Sequence, residues 1–365
     1  MAETRESLQP KAAPALNIPP SSSTVDVRVI DTQTLVYLKP ALFWQPELKG
    51  LEGLDAPVYC FLISHGDSHI VFDLGVREDW ENYPPHIVSL IKATTTVTRG
   101  KDVASILDAS NAVPIRSTDI RAVIWSHAHF DHIGNMATFP PTTDLVVGPG
   151  VRESCGQGWP ENPASGVLTS DFAGRTVREI SFDYSPTGLK IGRFAAFDYF
   201  GDGSFYLLDA PGHAPGHMCA LARTSTKPDS DSFVLMGADA CHHPGVLRPT
   251  EYLPLPASAP ASLRGCCPGD VLAKLIAVSV SPCTPFFTVA DGPLFPDREA
   301  AMETVRKIHE LDARDEVFVV LGHDRSLRER IPMFPERVNG WREMRLRAET
   351  RWLFCEDFRD VEFDS

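Results

Sequence analysis

The stretch that decides the fold is Ala122-Val123-Ile124-Trp125-Ser126-His127-Ala128-His129-Phe130-Asp131-His132. Its first four residues form an apolar run that reads as a buried strand. Beyond it, His127, His129, Asp131 and His132 stand at i, i+2, i+4 and i+5, a spacing that no single helical face can present. It suits a loop wrapped round a metal, where imidazoles take a borderline-soft ion and the carboxylate adds a hard ligand. One histidine alone would be read as a satisfied core or surface residue. Four titratable groups within six residues are costly to bury without a metal or another charge partner. Two later phrases, Gly212-His213-Ala214-Pro215-Gly216-His217 and Gly237-Ala238-Asp239, supply the rest of such a shell. Together they carry the pattern of a two-zinc hydrolase.

Working outward, residues 1–24 are polar and rich in Pro, Ala and Ser, and read as a disordered leader. Alternating strands are expected over 25–30 and 34–38 with a short turn between them, and over 58–63 and 69–73 around the turn at 64–67. Helical patterns follow at 87–93 and 103–109. Further strands are expected at 145–147, 177–180, 204–208, 218–222 and 233–236. A helix over 297–311 begins after Pro296 with acidic residues, as helix starts should. It leads into the apolar strand 317–321 and then Gly322-His323-Asp324. A last helix is expected over 341–354. Candidate ligands sit repeatedly at the carboxyl ends of apolar strands, which fits an α/β sandwich of two mixed sheets covered by helices, with a site along one edge. The expected organisation is the leader, a hydrolase domain over 25–330, and a helical extension over 331–365 packing on it.

Composition narrows the partners. The 34 Lys and Arg against 48 Asp and Glu give a net charge of −14, which disfavours nucleic acid and anionic membrane surfaces. The 8 cysteines form no CxxC motif, and the adjacent Cys266 and Cys267 read as two unpaired thiols. The first residues lack an apolar signal core, and no run of 18 apolar residues occurs, so a reducing, cytoplasmic location is expected.

The phrases His127-x-His129-x-Asp131-His132, Phe72-Asp73-Leu74-Gly75, Gly212–His217, Asp239 and Gly322-His323 together resemble the metallo-β-lactamase superfamily. Within it the pattern is most similar to the dinuclear N-acyl-homoserine-lactonase branch and its fungal lactonase and γ-lactamase relatives. The resemblance implies a four-layer αββα sandwich. It also implies one Zn2+ on His127, His129 and His217, a second on Asp131, His132 and His323, and Asp239 bridging them. His213 then takes a supporting place, and Asp73 holds the metal loop by hydrogen bonds without binding metal. Di-iron relatives carry glutamate at the place of His129 and a fused flavin domain, so zinc is favoured. One departure stands out: the bacterial lactonases have a tyrosine three residues after the bridging aspartate, where this chain has His242. That counts against homoserine-lactone opening and leaves hydrolysis standing. An imidazole at 242 can donate a hydrogen bond or a proton; the alternative for His242 and His243 is a solvated loop pair.

Attack on an unactivated lactone or lactam carbonyl needs hydroxide at neutral pH. Two cations roughly 3.5–4 Å apart lower the pKa of a shared water from about 15.7 toward about 7. Asp131 is the expected group to orient that hydroxide and pass its proton to the leaving group. The expected function is hydrolysis of a small cyclic amide or ester, a γ-lactam or lactone, in detoxification of a plant or microbial compound. A glyoxalase II-like thioesterase uses the same seven ligands but should carry a basic patch for glutathione, and none is seen. A nuclease is opposed by the acidic charge. From another class, a metal-free binding module would have lost ligands that this chain retains. Pocket walls are expected from 38–44, Trp159 and 242–268, and a homodimer is implied only by analogy.

Overall fold

Strands here are built from alternating or continuous β-branched and aromatic residues, which fill a pleated surface with packed side chains. The first six make one mixed sheet: β1 (Asp26–Leu38), β2 (Leu54–His65), β3 (Ser68–Phe72), β4 (Ile120–Ile124), β5 (Asp144–Val147) and β6 (Val177–Glu179). They lie in chain order, antiparallel through β3 and parallel from β3 to β6. The second sheet holds β7 (Lys190–Ile191), β8 (Phe194–Asp198), β9 (Phe205–Asp209), β10 (Met218–Ser225), β11 (Ser232–Ala238) and β12 (Val317–Leu321). Here neighbours are antiparallel except for the β11–β12 pair at the edge. The computed structural model describes residues 9–182, 188–226, 231–256, 271, 274–276 and 281–362; the pair Cys266 and Cys267 lies outside them.

Alternation along each strand divides the core into three layers of apolar side chains. In β4, Ala122 and Ile124 face the second sheet, while Val123 and Trp125 face the helices. In β10, Met218 and Ala220 meet the first sheet and Cys219 and Leu221 the opposite layer. Helices α1 (Pro85–Thr94) and α2 (Val103–Ala109) cover the first sheet through Ile91, Val103 and Leu107. The short α3 (Phe130–Ile133) closes the metal-motif loop, and α4 (Arg298–Asp312) covers the second sheet through Val305, Ile308 and Leu311. Helix, sheet, sheet and helix follow one another as the sequence led one to expect.

Three local expectations need correction. Segments 25–30 and 34–38 are one strand, because both halves pair with β2 and the surplus residues go into an irregular register between Asp31 and Leu35. Residues 9–24 are packed where a disordered leader was expected: Leu16 is 3% exposed within the core of the second sheet, and Arg223 donates to the Pro19 carbonyl. The helix expected over 341–354 is reduced to Leu346–Thr350 followed by a 3-10 turn at Leu353–Phe358. That C-terminal stretch nonetheless buries Trp341, Trp352, Phe354 and Phe358 against the sandwich. Among the described residues no helix is long and apolar enough to cross a membrane.

Candidate metal centre

Five strand-end segments converge at one edge of the sandwich. Asp73 follows β3, His127–His132 follows β4, His213 follows β9, Asp239 follows β11 and His323 follows β12. Two of the turns use left-handed backbone at non-glycine residues, Asp73 at φ 61° and Ala238 at φ 42°. Such conformations persist when the surroundings over-determine them, as they do where side chains must be aimed. Gly212, at φ 122°, lets the 210–217 loop lie against the start of α4, where a Cβ would come within 2.1 Å of the Ala301 nitrogen.

The side chains brought together form two groups that could hold a metal ion: His127, His129, His213 and Asp239, then Asp131, His132, Asp239 and His323. Within each, the ligand atoms lie within 4.8 Å of one another, and Asp239 belongs to both. Hydrogen bonds on the far side of each ring decide which nitrogen faces inward. His132 donates through Nδ1 to Asp73 Oδ2 at 2.8 Å, leaving Nε2 3.0 Å from Asp239 Oδ1. His323 donates through Nδ1 to the Pro57 carbonyl at 2.9 Å, leaving Nε2 3.2 Å from Asp239 Oδ1 and 3.5 Å from Asp131 Oδ2. His127 Nδ1 meets Ser126 Oγ at 3.0 Å, and its Nε2 stands 3.6 Å from Asp239 Oδ2. His129 Nδ1 and His213 Nε2 face one another at 3.0 Å.

The inward nitrogens of His127, His132 and His323 and Oδ1 of Asp239 are buried without a hydrogen-bond partner. Orphaned buried polar atoms are rare because each costs about 1–3 kcal/mol. Several aimed at common points have a cation as their natural partner, and the donor set fits one. The electrostatics of the two groups differ: burial would lower His132 and His323, but Asp239, with Asp73 beside His132 and Asp131 beside His323, outweighs it and raises both. Burial, reinforced by the neighbouring imidazoles, holds His127 and His129 well below the ordinary histidine range, which keeps them in the neutral, ligating form. Burial would raise the Asp239 carboxyl, but His132, His242 and His323 outweigh it and hold the group well below its usual value.

One expected residue is displaced. His217 was placed with His127 and His129, and the structure puts His213 there instead. Both nitrogens of His217 are committed to backbone: Nδ1 donates to the Ala210 carbonyl at 2.7 Å and Nε2 accepts from the Asp239 N–H at 3.1 Å. With burial pushing it down to about 3, His217 is a neutral strut under the bridging aspartate. The other expected ligands, His127, His129, Asp131, His132, Asp239 and His323, are assembled together. Asp73 supports the loop through both oxygens, Oδ1 accepting the Ser126 N–H at 2.7 Å.

His242 and His243 are not a solvated pair; both are buried. His242 Nε2 lies 3.0 Å from Asp239 Oδ2, and its ring lies 4.2 Å from that of Phe43. It lines a cavity of about 160 Å³ whose floor is His129, Asp131, His213 and Asp239. The walls come from Leu38, Leu42 and Phe43, from Ile87 and Leu90 of α1, and from Leu294. Trp159 does not line it; it bridges to Leu168 instead. The contribution of α1 was not foreseen, since its half-buried Ile87 and exposed Leu90 looked like ordinary helix surface.

The metallo-beta-lactamase superfamily model matches residues 53–222. The chain is 61% identical to the metallo-hydrolase mfmC of Annulohypoxylon moriforme, over 96% of this chain and 91% of that protein. It is 51% identical to the cytochrome P450 monooxygenase mpaDE' of Penicillium brevicompactum over 98% of this chain, but it spans only 40% of that protein's length. The gamma-lactamase FDB1 of Fusarium pseudograminearum is 42% identical, over 96% of this chain and 86% of FDB1. Among solved structures, a B. thuringiensis AiiA mutant with N-decanoyl-L-homoserine bound covers 87% of this chain and 100% of its own, with a TM-score of 0.55 at 17% identity. That last likeness is one of fold.

Proposed function

The chain belongs to the metallo-beta-lactamase superfamily, and from that premise we propose that it opens a small, uncharged cyclic ester or amide by metal-dependent hydrolysis. The observation that carries the reading is the pair of ligand groups sharing Asp239 at the floor of an apolar cavity. His127, His129 and His213 would hold one ion, Asp131, His132 and His323 a second, with Asp239 common to both. Zinc suits an imidazole-rich set completed by carboxylate. Ions in these positions supply Lewis acidity and a water acidic enough to lose its proton near neutral pH.

The chain's own residues do the rest. Asp131, 8% exposed and on the cavity floor, is placed to accept a proton from the attacking water and return it to the leaving oxygen or nitrogen. His242 turns Nε2 toward the Asp239 carboxylate, so that nitrogen carries the proton and Nδ1 offers a lone pair. Phe43 packs on the ring and holds it at the cavity wall. The rest of that wall is dry: the Thr94 and Thr95 hydroxyls donate to the Leu90 and Tyr37 carbonyls, and no Lys or Arg lines the cavity among the described residues. A glutathione thioester, with its free carboxylates, would find no cationic partner there, so a neutral ring is the better match.

A second reading rests on the relative named as a P450 monooxygenase, which carries a segment half-identical to this whole chain. A monooxygenase installs a hydroxyl, and a hydroxyl placed γ or δ to a carboxyl makes a hydroxy acid that closes to a lactone with loss of water. A site that opens such a ring also closes it, by microscopic reversibility. The relative named as a gamma-lactamase favours the opposite direction, opening of a γ-lactam ring, and we propose detoxification of a ring compound as the use of that direction.

The experiment is a panel of uncharged lactones, γ-lactams, hydroxy acids and glutathione thioesters assayed with metal-loaded protein. Opening of the uncharged rings, or closing of the matching hydroxy acids to uncharged lactones, supports the proposal. Turnover confined to thioesters, or none on any ring, overturns it.

A further inference from the structure

The dipeptide His242-His243 faces two ways. His243 is extended, at φ −140° and ψ 131°, so its neighbour points to the opposite side of the chain. A second pair packs against it residue by residue: Phe43, which ends the short helix Pro40–Phe43, and Trp44, which is extended at φ −148° and ψ 158°. Phe43 lies 4.2 Å from His242 on the cavity side, and Trp44 lies 5.1 Å from His243 on the far side. Behind His243 the C-terminal turn at Leu353–Phe358 closes a cage, with Phe354 at 5.7 Å and Phe358 at 5.9 Å.

That cage is apolar except at one point. His243 is fully buried. Its Nδ1 accepts the Gly245 N–H at 2.9 Å, which places the ring proton on Nε2. Nε2 lies 3.2 Å from Asp357 Oδ2, a close charge contact without hydrogen-bond alignment, and has no hydrogen-bond partner of its own. The other oxygen of Asp357 forms an ion pair with Arg325, with Nε at 2.8 Å. Arg325 sits four residues past β12 and two after His323, which belongs to the metal centre. One carboxylate from the C-terminal stretch therefore ties together the two site loops that follow β11 and β12.

We propose that Asp357 is a positioning residue for the active site, fixing His243 and thereby the placement of His242 at the cavity wall. This rests on the reading of His242 as a group that meets substrate. The C-terminal stretch is then part of the active-site architecture, since without Asp357 the buried His243 N–H loses the carboxylate that faces it and the loop behind His242 loses its electrostatic anchor. Burial gives such an anchor leverage, because an unpaired buried donor costs free energy that small rearrangement of the loop relieves. Misplacement of a substrate-facing group by a fraction of an ångström to an ångström lowers turnover by roughly ten- to a hundredfold.

The test uses full-length, metal-loaded protein carrying Asp357→Ala, Asp357→Asn, His242→Ala and the double variant Asp357→Ala/His242→Ala. Long-range nitrogen–proton NMR of the imidazoles reads the His243 tautomer directly and does not depend on any substrate. The wild type should show a single Nε2–H form of His243, and Asp357→Ala a mixture or an exchanging signal. On whichever ring substrate the wild type turns over, Asp357→Ala should lower kcat by about tenfold or more with KM and metal content near wild type. Asp357→Asn, which keeps an acceptor oxygen, should recover most of it. In the His242→Ala background, Asp357→Ala should change kcat no further. Multiplying effects in the double variant, or an unchanged His243 signal in folded Asp357→Ala, would overturn the proposal. Should Asp357→Ala not fold, the same readings are made on Asp357→Asn and Asp357→Leu. If the wild type opens no ring, the functional reading fails by itself, and the His243 spectrum still decides the positioning claim.

Discussion

Asp73 Oδ2 accepts a hydrogen bond from His132 Nδ1 at 2.8 Å, across 59 residues of sequence and between two neighbouring strand ends. Its second oxygen takes the backbone N–H of Ser126, the residue that opens the histidine loop. One carboxylate thus sets both the loop and the face that His132 presents to Asp239. Asp73→Asn should keep the fold and weaken metal affinity by about 10- to 100-fold, the usual effect of losing an oriented partner behind a ligand. Competition against a fluorescent chelator measures it; an unchanged affinity would show the contact to be incidental.

His213 and His217 make an internal comparison, since they sit four residues apart in one loop and only His213 joins a ligand group. His213→Ala should lower the metal content per chain and suppress turnover while leaving unfolding stability of the metal-free protein close to wild type. His217→Ala should instead cost about 1–3 kcal/mol of stability, because the Asp239 N–H and Ala210 carbonyl lose their partner. Metal content and urea unfolding of the two variants distinguish these outcomes.

Asp312 is buried against Arg248, with both guanidinium contacts at 2.7 Å. Burial would raise its carboxyl, but Arg248 outweighs it and holds the group at about 2, below its usual 3.8. A depressed carboxyl pKa stabilises the fold above the unfolded value, and that stability is lost as pH falls from about 4 to about 2. The contribution is about 2 kcal/mol. Asp312→Asn should flatten the acid limb of stability against pH, and at pH 7 should cost about 3–5 kcal/mol by leaving Arg248 buried and unpaired. Urea unfolding at pH 3 and pH 7 checks both.

Asp171 behaves in the opposite sense. Burial lifts it to about 6, against the opposing bond from the Leu168 N–H and the charge of Arg77. Folding therefore favours the protonated acid, and a penalty of about 3 kcal/mol develops as pH rises from about 4 to about 6. Asp171→Asn keeps an acceptor for Leu168 and removes that penalty. It should stabilise the protein above pH 6 and change little at pH 4, as thermal melts across that range would show.

Much of this was written in the sequence, and what was not has physical reasons. The His127–His132 spacing and the apolar runs ending at Trp125, Met236 and Leu321 located both the layers and the site edge. A ligand cluster and a buried strand each leave a strong local pattern. The choice between His213 and His217 was not local: it depends on which ring finds backbone partners, and the Ala210 carbonyl and Asp239 N–H take both nitrogens of His217. A sharper use of the strand-end pattern favours His213, which stands in the loop after β9, over His217, which leads straight into β10. The packing of residues 9–24 turns on Leu16 and Ile18, two branched apolar side chains in a stretch of Pro, Ala and Ser. The cavity wall from α1 was invisible because an exposed leucine is ordinary on any helix until something concave lies beneath it. Nothing near Asp357 in sequence hints at His243, 114 residues away.

The central claim is that His127, His129, His213, Asp131, His132 and His323 gather round Asp239 to hold a pair of divalent ions. Elemental analysis of the purified chain by plasma mass spectrometry, made alongside the Asp239→Ala variant, tests it most directly. Close to two zinc ions per wild-type chain are expected, with a sharp loss in the variant. A correctly folded wild-type chain that takes up no metal, even from excess zinc, would contradict it.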